Sequence, residues 1–190
     1  MTNEEILKVF EESKGILRGH FKLTSGRHSG QYMQCAKLFV DPVHSEQLCA
    51  ELAKKLSDKS FNLVVSPAMG GIIMGYEMAR QLKSRNVFAE RENGAMTLRR
   101  GFELPQDARV LVVEDVVTTG GSVKEVISLM ESMGATVVGV ASIVDRSNGK
   151  VDFGKPYTSL LSMDIPSYEP EACPICNETD LPLIKPGSRV

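Results

Sequence analysis

The sequence predicts an α/β protein built on a central, mainly parallel sheet flanked by helices. The short runs Leu63–Val65, Val87–Ala89, Val110–Val113 and Val137–Val144 are apolar nearly throughout, as strands buried on both faces must be. Segments of helical period separate them at Gly71–Leu82 and Val123–Met133, and strands alternating with helices assemble as a parallel sheet with crossover connections.

The remaining elements follow in order. Thr2-Asn3-Glu4-Glu5 is a capping box, and Ile6, Leu7, Val9 and Phe10 give the next segment an apolar face, so the chain opens with a helix. After Gly15, Gly19 and the Ser25-Gly26 pair, Gln31–Val40 reads as extended. Asp41-Pro42 then starts a helix running to about Leu56. Gly134 is a natural stop for the helix ending at Met133. Glu90–Gln106 has no clean period and is either a flexible loop or an irregular hairpin. The segment from Pro166 carries Pro166, Pro170, Pro174, Pro182 and Pro186, which predicts an extended appendage and not another sheet layer.

Composition limits what such a protein can do. The 190 residues are 42% hydrophobic and 24% charged, enough for one substantial core, and the net charge is -2. With a pI near 6.0 the chain has no basic surplus for nucleic acid or an anionic membrane, so an anionic substrate must meet a local basic cluster. No apolar run approaches the roughly 20 residues that span a bilayer, and the acidic start is unlike a signal peptide, so a cytoplasmic protein is expected. Of the four cysteines, Cys35 and Cys49 sit in ordinary segments and Cys173 and Cys176 form a single C-x-x-C, which predicts no disulfide framework.

The chemistry concentrates between Arg109 and Ser122. A buried strand ends in two carboxylates, Glu114 and Asp115, then passes through Val116 and Val117 into the turn Thr118-Thr119-Gly120-Gly121-Ser122 and a helix. Ligands of open α/β sheets bind at that strand edge. The turn can wrap a phosphate in backbone N–H groups and hydroxyls, with the helix dipole behind it. The carboxylates would repel phosphate but suit sugar hydroxyls or hydrated Mg²⁺. Phosphate beside a diol describes a ribose 5-phosphate. A lone Gly-Gly would mean only a strand-to-helix turn, and neither the nucleotide P-loop nor the dinucleotide glycine pattern occurs.

Val112–Ser122 resembles the phosphoribosyl pyrophosphate (PRPP) signature of the type I phosphoribosyltransferases, and the order of elements is similar to that family from about Phe21 to Arg146. The resemblance implies that Glu114 and Asp115 hold the ribose hydroxyls and Thr118–Ser122 the 5-phosphate. It further implies that Ala68, Met69 and Gly70, in the turn Ser66–Gly71, face pyrophosphate. His20–Ser29 and the strand-ending Asp145-Arg146 are similar to the orotate-specific branch, which implies orotate recognition by Arg146 with Thr118 close by. Cys173–Cys176 to Lys185–Arg189 resembles the ending of one branch of that family. The expected fold is then a type I phosphoribosyltransferase domain over 1–165, with a small N-terminal hood over about 1–40 and a Pro-rich tail over 166–190. Mg²⁺ would be held mainly through PRPP and water, with no direct protein ligands, and the active unit would be a homodimer with shared sites.

The chain departs from the branch pattern where lysines are common, carrying Thr24, Met69 and a lysine-free Glu90–Gln106 loop. Arg91, Arg99 and Arg100 remain as candidate catalytic cations, with Asp115 beside the reacting ribose, and Lys22 and Arg27 lie near the N-terminal motif. Because charge develops on the ribose ring and on departing pyrophosphate, catalysis calls for electrostatic stabilisation and no covalent nucleophile. His20, His28 and His44 therefore read as loop or helix-surface residues. Cys173-x-x-Cys176 has the spacing of half a zinc site, and without a second such pair it reads as a reduced, non-metallic turn. The rivals are a purine-salvage phosphoribosyltransferase, which needs no carboxylate-reading arginine, and a PRPP-sensing regulator that binds nucleic acid.

Overall fold

The computed structural model describes residues 1–23, 25–56 and 60–186. Thr24 and residues 187–189 of the family-like tail lie outside that range. Helix α1 (Asn3–Glu12) begins where the capping box requires: Thr2 Oγ1 accepts from Glu5 N at 3.2 Å, and Glu5 Oε2 accepts from Thr2 N at 2.7 Å. It buries Ile6, Val9 and Phe10. Strands β1 (Ile16–Lys22) and β2 (His28–Met33) pair antiparallel and form the hood.

Beyond Met33 the expected extension of Gln31–Val40 fails. A 3-10 turn occupies Cys35–Phe39 and buries Cys35, Leu38 and Phe39, whose spacing of three and four puts them on one side of a helical turn. Helix α2 (Pro42–Lys55) starts at Asp41, whose Oδ1 accepts from Val43 N at 2.9 Å, with Pro42 at its first position.

The main sheet contains β3 (Leu63–Pro67), β4 (Arg85–Glu92), β5 (Ala95–Leu98), β6 (Arg109–Val117), β7 (Thr136–Asp145) and β8 (Tyr157–Ser162), in the order β5-β4-β3-β6-β7-β8. All neighbours are parallel except β4 and β5. Helices α3 (Gly71–Leu82) and α4 (Gly121–Ser132) make two of the crossovers. The pleat of β6 divides the core: Leu111 and Val113 join the cluster under α2 and α3, and Val110 and Val112 join the one under α4. Strand β8 escapes the sequence pattern because it is an edge strand with only Leu160 and Leu161 fully buried.

Glu90–Gln106 resolves in favour of the hairpin for its first half. Asn93 (φ 52°) and Gly94 (φ 85°) turn β4 into β5, the positive-φ pair that a tight hairpin prefers. The Pro-rich tail stays out of the main sheet, yet it does not trail free. It forms helix α5 (Pro174–Glu178) and strand β9 (Leu183–Ile184), and β9 adds to the hood sheet parallel to β1. His28 and Tyr168 exchange two backbone hydrogen bonds of 2.8 Å, and Ser29 Oγ donates to Pro166 O at 2.8 Å.

This docking corrects the expectation for two histidines. His20 and His28 are strand residues only 4% and 5% exposed, covered by the tail, while His44 lies on α2 as read. The four cysteines are free thiols. No described helix is long and apolar enough to cross a membrane.

Candidate active site

Strands β3, β6 and β7 deliver three connections to one edge of the sheet. At the centre, the C-terminal end of β6 carries Glu114 and Asp115. The connection into α4 shapes a small open pocket lined by Glu114, by Val116, Val117, Thr118, Thr119, Gly120, Gly121 and Ser122, and by Val123. Thr118, Thr119 and Gly121 are exposed there. Gly120 adopts φ 74°, and a Cβ on it would come within 2.8 Å of both Phe153 and Val151. Only glycine satisfies the backbone and the packing together, so the turn stays tight, and Gly121, Ser122 and Val123, whose N–H groups have no intrahelical acceptors, line the pocket.

The turn after β3 rests directly on the acidic pair. A Cβ at Gly70 would lie 3.1 Å from Asp115 Oδ2, and one at Gly71 would lie 3.3 Å from Glu114 Oε1. Any larger residue would push the Ala68–Gly70 turn away from the carboxylates. Met69 is 84% exposed at the tip. The structure thus brings together the acidic pair, the hydroxyl-rich turn and Ala68–Gly70.

Both carboxyls are half-buried and side by side. Burial, reinforced by the neighbouring Asp115 charge, pushes the Glu114 pKa up to about 9. Burial raises Asp115 as well, although its Oδ1 accepts from Val116 N at 2.8 Å. A hydrated cation or a pair of donating hydroxyls would relieve this repulsion.

The raised value has a consequence for stability. An acid whose pKa is higher in the folded state favours folding in its protonated form. Its stabilisation is full below the ordinary value of 4.5 and is lost as pH rises toward about 9. Glu114→Gln removes the titration, so the variant should gain on the parent with rising pH. At about pH 8 the expected gain is roughly 1–2 kcal/mol, discounted for solvent screening of a half-buried group, or several degrees in Tm. Melting curves across that range check it; a constant difference between the two proteins would refute the buried charge.

Arg146 follows β7, and its backbone N–H donates to Val117 O at 2.8 Å, which ties it to the end of β6. Its side chain is partly buried, and Nε has no hydrogen-bond partner among the described residues. Burial lowers its pKa, while Cys35 and Tyr32 of the hood lie near enough to oppose that shift. Burial raises the Cys35 thiol, with the Asp115 and Glu114 charges adding to it and Arg146 opposing. Cys35, buried in the core, thus feels both Arg146 and the acidic pair, and Tyr32 lies near Arg146. Neither drew notice in the sequence, because nothing local marks residues that only the fold brings near Arg146.

The three candidate cations of the hairpin lie elsewhere. Arg91 pairs with Glu125 of α4 at 2.7 Å, Arg99 with Glu92 at 3.3 Å, and Arg100 with Glu90 at 3.0 Å while stacking over Phe88. The structure does not bring them to Glu114 or Asp115 within this chain. Arg27 engages Ser167 and Glu169 of the tail, so it braces the hood.

The acidic pair and the hydroxyl-rich turn thus meet at one edge of a mainly parallel sheet, and the fold gives the class of the protein. Residues 40–170 match the family described as "Phosphoribosyl transferase domain", and the chain belongs to that family. Full-length similarity narrows this further. The chain is 55% identical to the orotate phosphoribosyltransferase of Caldanaerobacter subterraneus subsp. tengcongensis, over 100% of this chain and 99% of the relative. It is 57% identical to that of Carboxydothermus hydrogenoformans over 97% of each. The crystal structure of orotate phosphoribosyltransferase from Aeropyrum pernix superposes with a TM-score of 0.71 at 26% identity, covering 83% of this chain and 93% of the other.

Proposed function

We infer that the protein transfers ribose 5-phosphate from PRPP to orotate, giving orotidine 5-phosphate and pyrophosphate, a step of pyrimidine nucleotide synthesis in the cytoplasm. The observation that carries the choice of base is Arg146, a partly buried guanidinium with an unsatisfied Nε, whose backbone N–H is tied to Val117 at the end of β6. A fixed planar cation reads a planar carboxylate, which orotate presents and a purine does not. The relatives' names agree with this choice.

In this reading Thr118–Ser122 hold the 5-phosphate, Glu114 and Asp115 orient the ribose hydroxyls, and Val116 and Val117 supply the backbone that joins them. Ala68–Gly70 present backbone to the pyrophosphate, and Arg146 with Thr118 aligns orotate against the anomeric carbon. Reaction needs no enzyme nucleophile. Positive charge developing on the ribose ring is met by Asp115 and Glu114, and negative charge on pyrophosphate by arginine. Enzymes of this family generally use Mg²⁺ with PRPP, and the crowded carboxylates suit a cation carried on the substrate's oxygens and water; it would neutralise the leaving group.

The test is base choice. Arg146→Ala deletes a charge-assisted contact of about 1.5–3 kcal/mol, so the orotate KM should rise about ten- to a hundredfold with the PRPP KM little changed. Equal loss for both substrates would make Arg146 structural. Wild-type turnover of hypoxanthine but not orotate would overturn the base assignment.

The working unit in this reading is a homodimer in which the Glu90–Gln106 segment serves the partner's site. Support comes from the hairpin itself: Arg91, Arg99 and Arg100 sit at the sheet edge, engaged with glutamates of their own chain and not with the acidic pair.

A further inference from the structure

The docking of tail on hood gathers four metal-binding side chains that are far apart in sequence. His20 and His28 come from β1 and β2, while Cys173 caps α5 and Cys176 lies on it. One ligand atom from each lies within 4.8 Å of all the others. His20 Nε2 is 3.2 Å from His28 Nδ1, 3.6 Å from Cys173 Sγ and 3.5 Å from Cys176 Sγ, and Cys176 Sγ is 3.3 Å from His28 Nδ1. A tetrahedral zinc ion with ordinary bond lengths would set its nitrogens about 3.3 Å apart and each nitrogen about 3.6 Å from a sulfur. The four distances given match edges of that tetrahedron to within about 0.3 Å, and the other two pairs lie within 4.8 Å.

Hydrogen bonding among the four groups does not account for the cluster as well. His20 Nδ1 lies 3.3 Å from Leu181 O, a carbonyl that can only accept, so the proton sits on Nδ1 and Nε2 keeps its lone pair. That one lone pair faces three neighbours at contact distance. A single central cation satisfies all four groups, and the Leu181 bond fixes the tautomer and ring orientation that a ligating histidine needs.

Charge also fits. Two thiolates neutralise a divalent cation, and neutrality suits a place where Cys173 is 0%, His20 4% and His28 5% exposed. Softness selects the metal, because a site of two sulfurs and two imidazoles favours zinc over the oxygen-seeking Mg²⁺. The sequence showed only the Cys173-x-x-Cys176 half; the fold supplies the other half from the opposite end of the chain.

We propose that His20, His28, Cys173 and Cys176 form a structural zinc site that clamps the C-terminal tail to the N-terminal hood. The sulfur side holds α5, and the imidazole side belongs to the β1–β2 hairpin. No position remains for a reacting ligand once four protein groups bind, so the ion is structural.

The full chain, expressed with zinc and purified without chelator, should carry one zinc per chain by elemental analysis. Reduced, zinc-stripped protein should take up cobalt with the thiolate charge-transfer and intense d–d bands of a tetrahedral site, and zinc but not magnesium should displace it. Stripping should lower Tm by roughly ten degrees, restored by zinc. Cys173→Ser with Cys176→Ser should lose the metal, and Cys49→Ala should keep it. Because the stoichiometry and the cobalt spectrum are read on the wild-type chain, a poorly folding variant does not blunt the test. Wild-type protein that is free of zinc and gives no tetrahedral cobalt spectrum overturns the site, as does full metal content in the double cysteine variant.

Discussion

Replacing both carboxylates, Glu114→Gln with Asp115→Asn, should lower kcat/KM for PRPP by about two to four orders of magnitude. Each change removes a charge-assisted contact of about 1.5–3 kcal/mol, and the two losses fall on the same ribose. The fold should survive, because the pair costs stability when ionised: burial raises both groups, Glu114 to about 9. Loss of activity without loss of Tm therefore separates a binding role from a structural one. Initial rates against PRPP, with melting curves on the same preparations, measure both. Wild-type PRPP kinetics in the double variant would remove the ribose assignment.

The Arg99→Ala, Arg100→Ala variant should lose about a hundredfold or more in kcat, the scale on which a group stabilising developing negative charge acts. Both must change, because they are neighbours in the turn after β5, where Arg100 has φ 62° and Phe102 N–H donates to Arg99 O at 3.1 Å, and only one need reach pyrophosphate. Mixed under subunit exchange with Arg146→Ala, and assayed at an orotate concentration far below that variant's raised KM so that it contributes little turnover, the variant should recover. One site of each mixed dimer would then combine an intact Arg146 body with an intact loop, and the other would lack both. With half the dimers mixed, about a quarter of wild-type activity returns. Verified exchange that restores nothing would place the loop on its own subunit or remove these arginines from catalysis.

Local physics wrote much of this molecule into its sequence. The capping box at Thr2, the Asp41-Pro42 start, the apolar runs of β3, β6 and β7 and the stop at Gly134 depend on residues within a few positions of one another, so they could be read directly. The hydroxyl-rich turn beside the acidic pair was legible for the same reason: carboxylates, hydroxyls and glycines stand in one continuous run from Glu114 to Ser122. The edge strand β8 and the Cys35–Phe39 turn were not, since their apolar residues are few and only the neighbours they pack against decide which conformation buries them.

What tertiary structure alone decided is the set of relations between distant segments. Gly70 and Gly71 matter because β3 lies beside β6 and carries their turn onto Asp115 and Glu114. Tyr32 and Cys35 matter because the fold brings them near enough to Arg146 to act on its charge. His20 and His28, without a pattern of their own, meet Cys173 and Cys176 because the tail lays β9 against β1. Composition and periodicity report which face of an element is apolar, but a site assembled across 150 residues exists only once burial of those faces has fixed which segments touch.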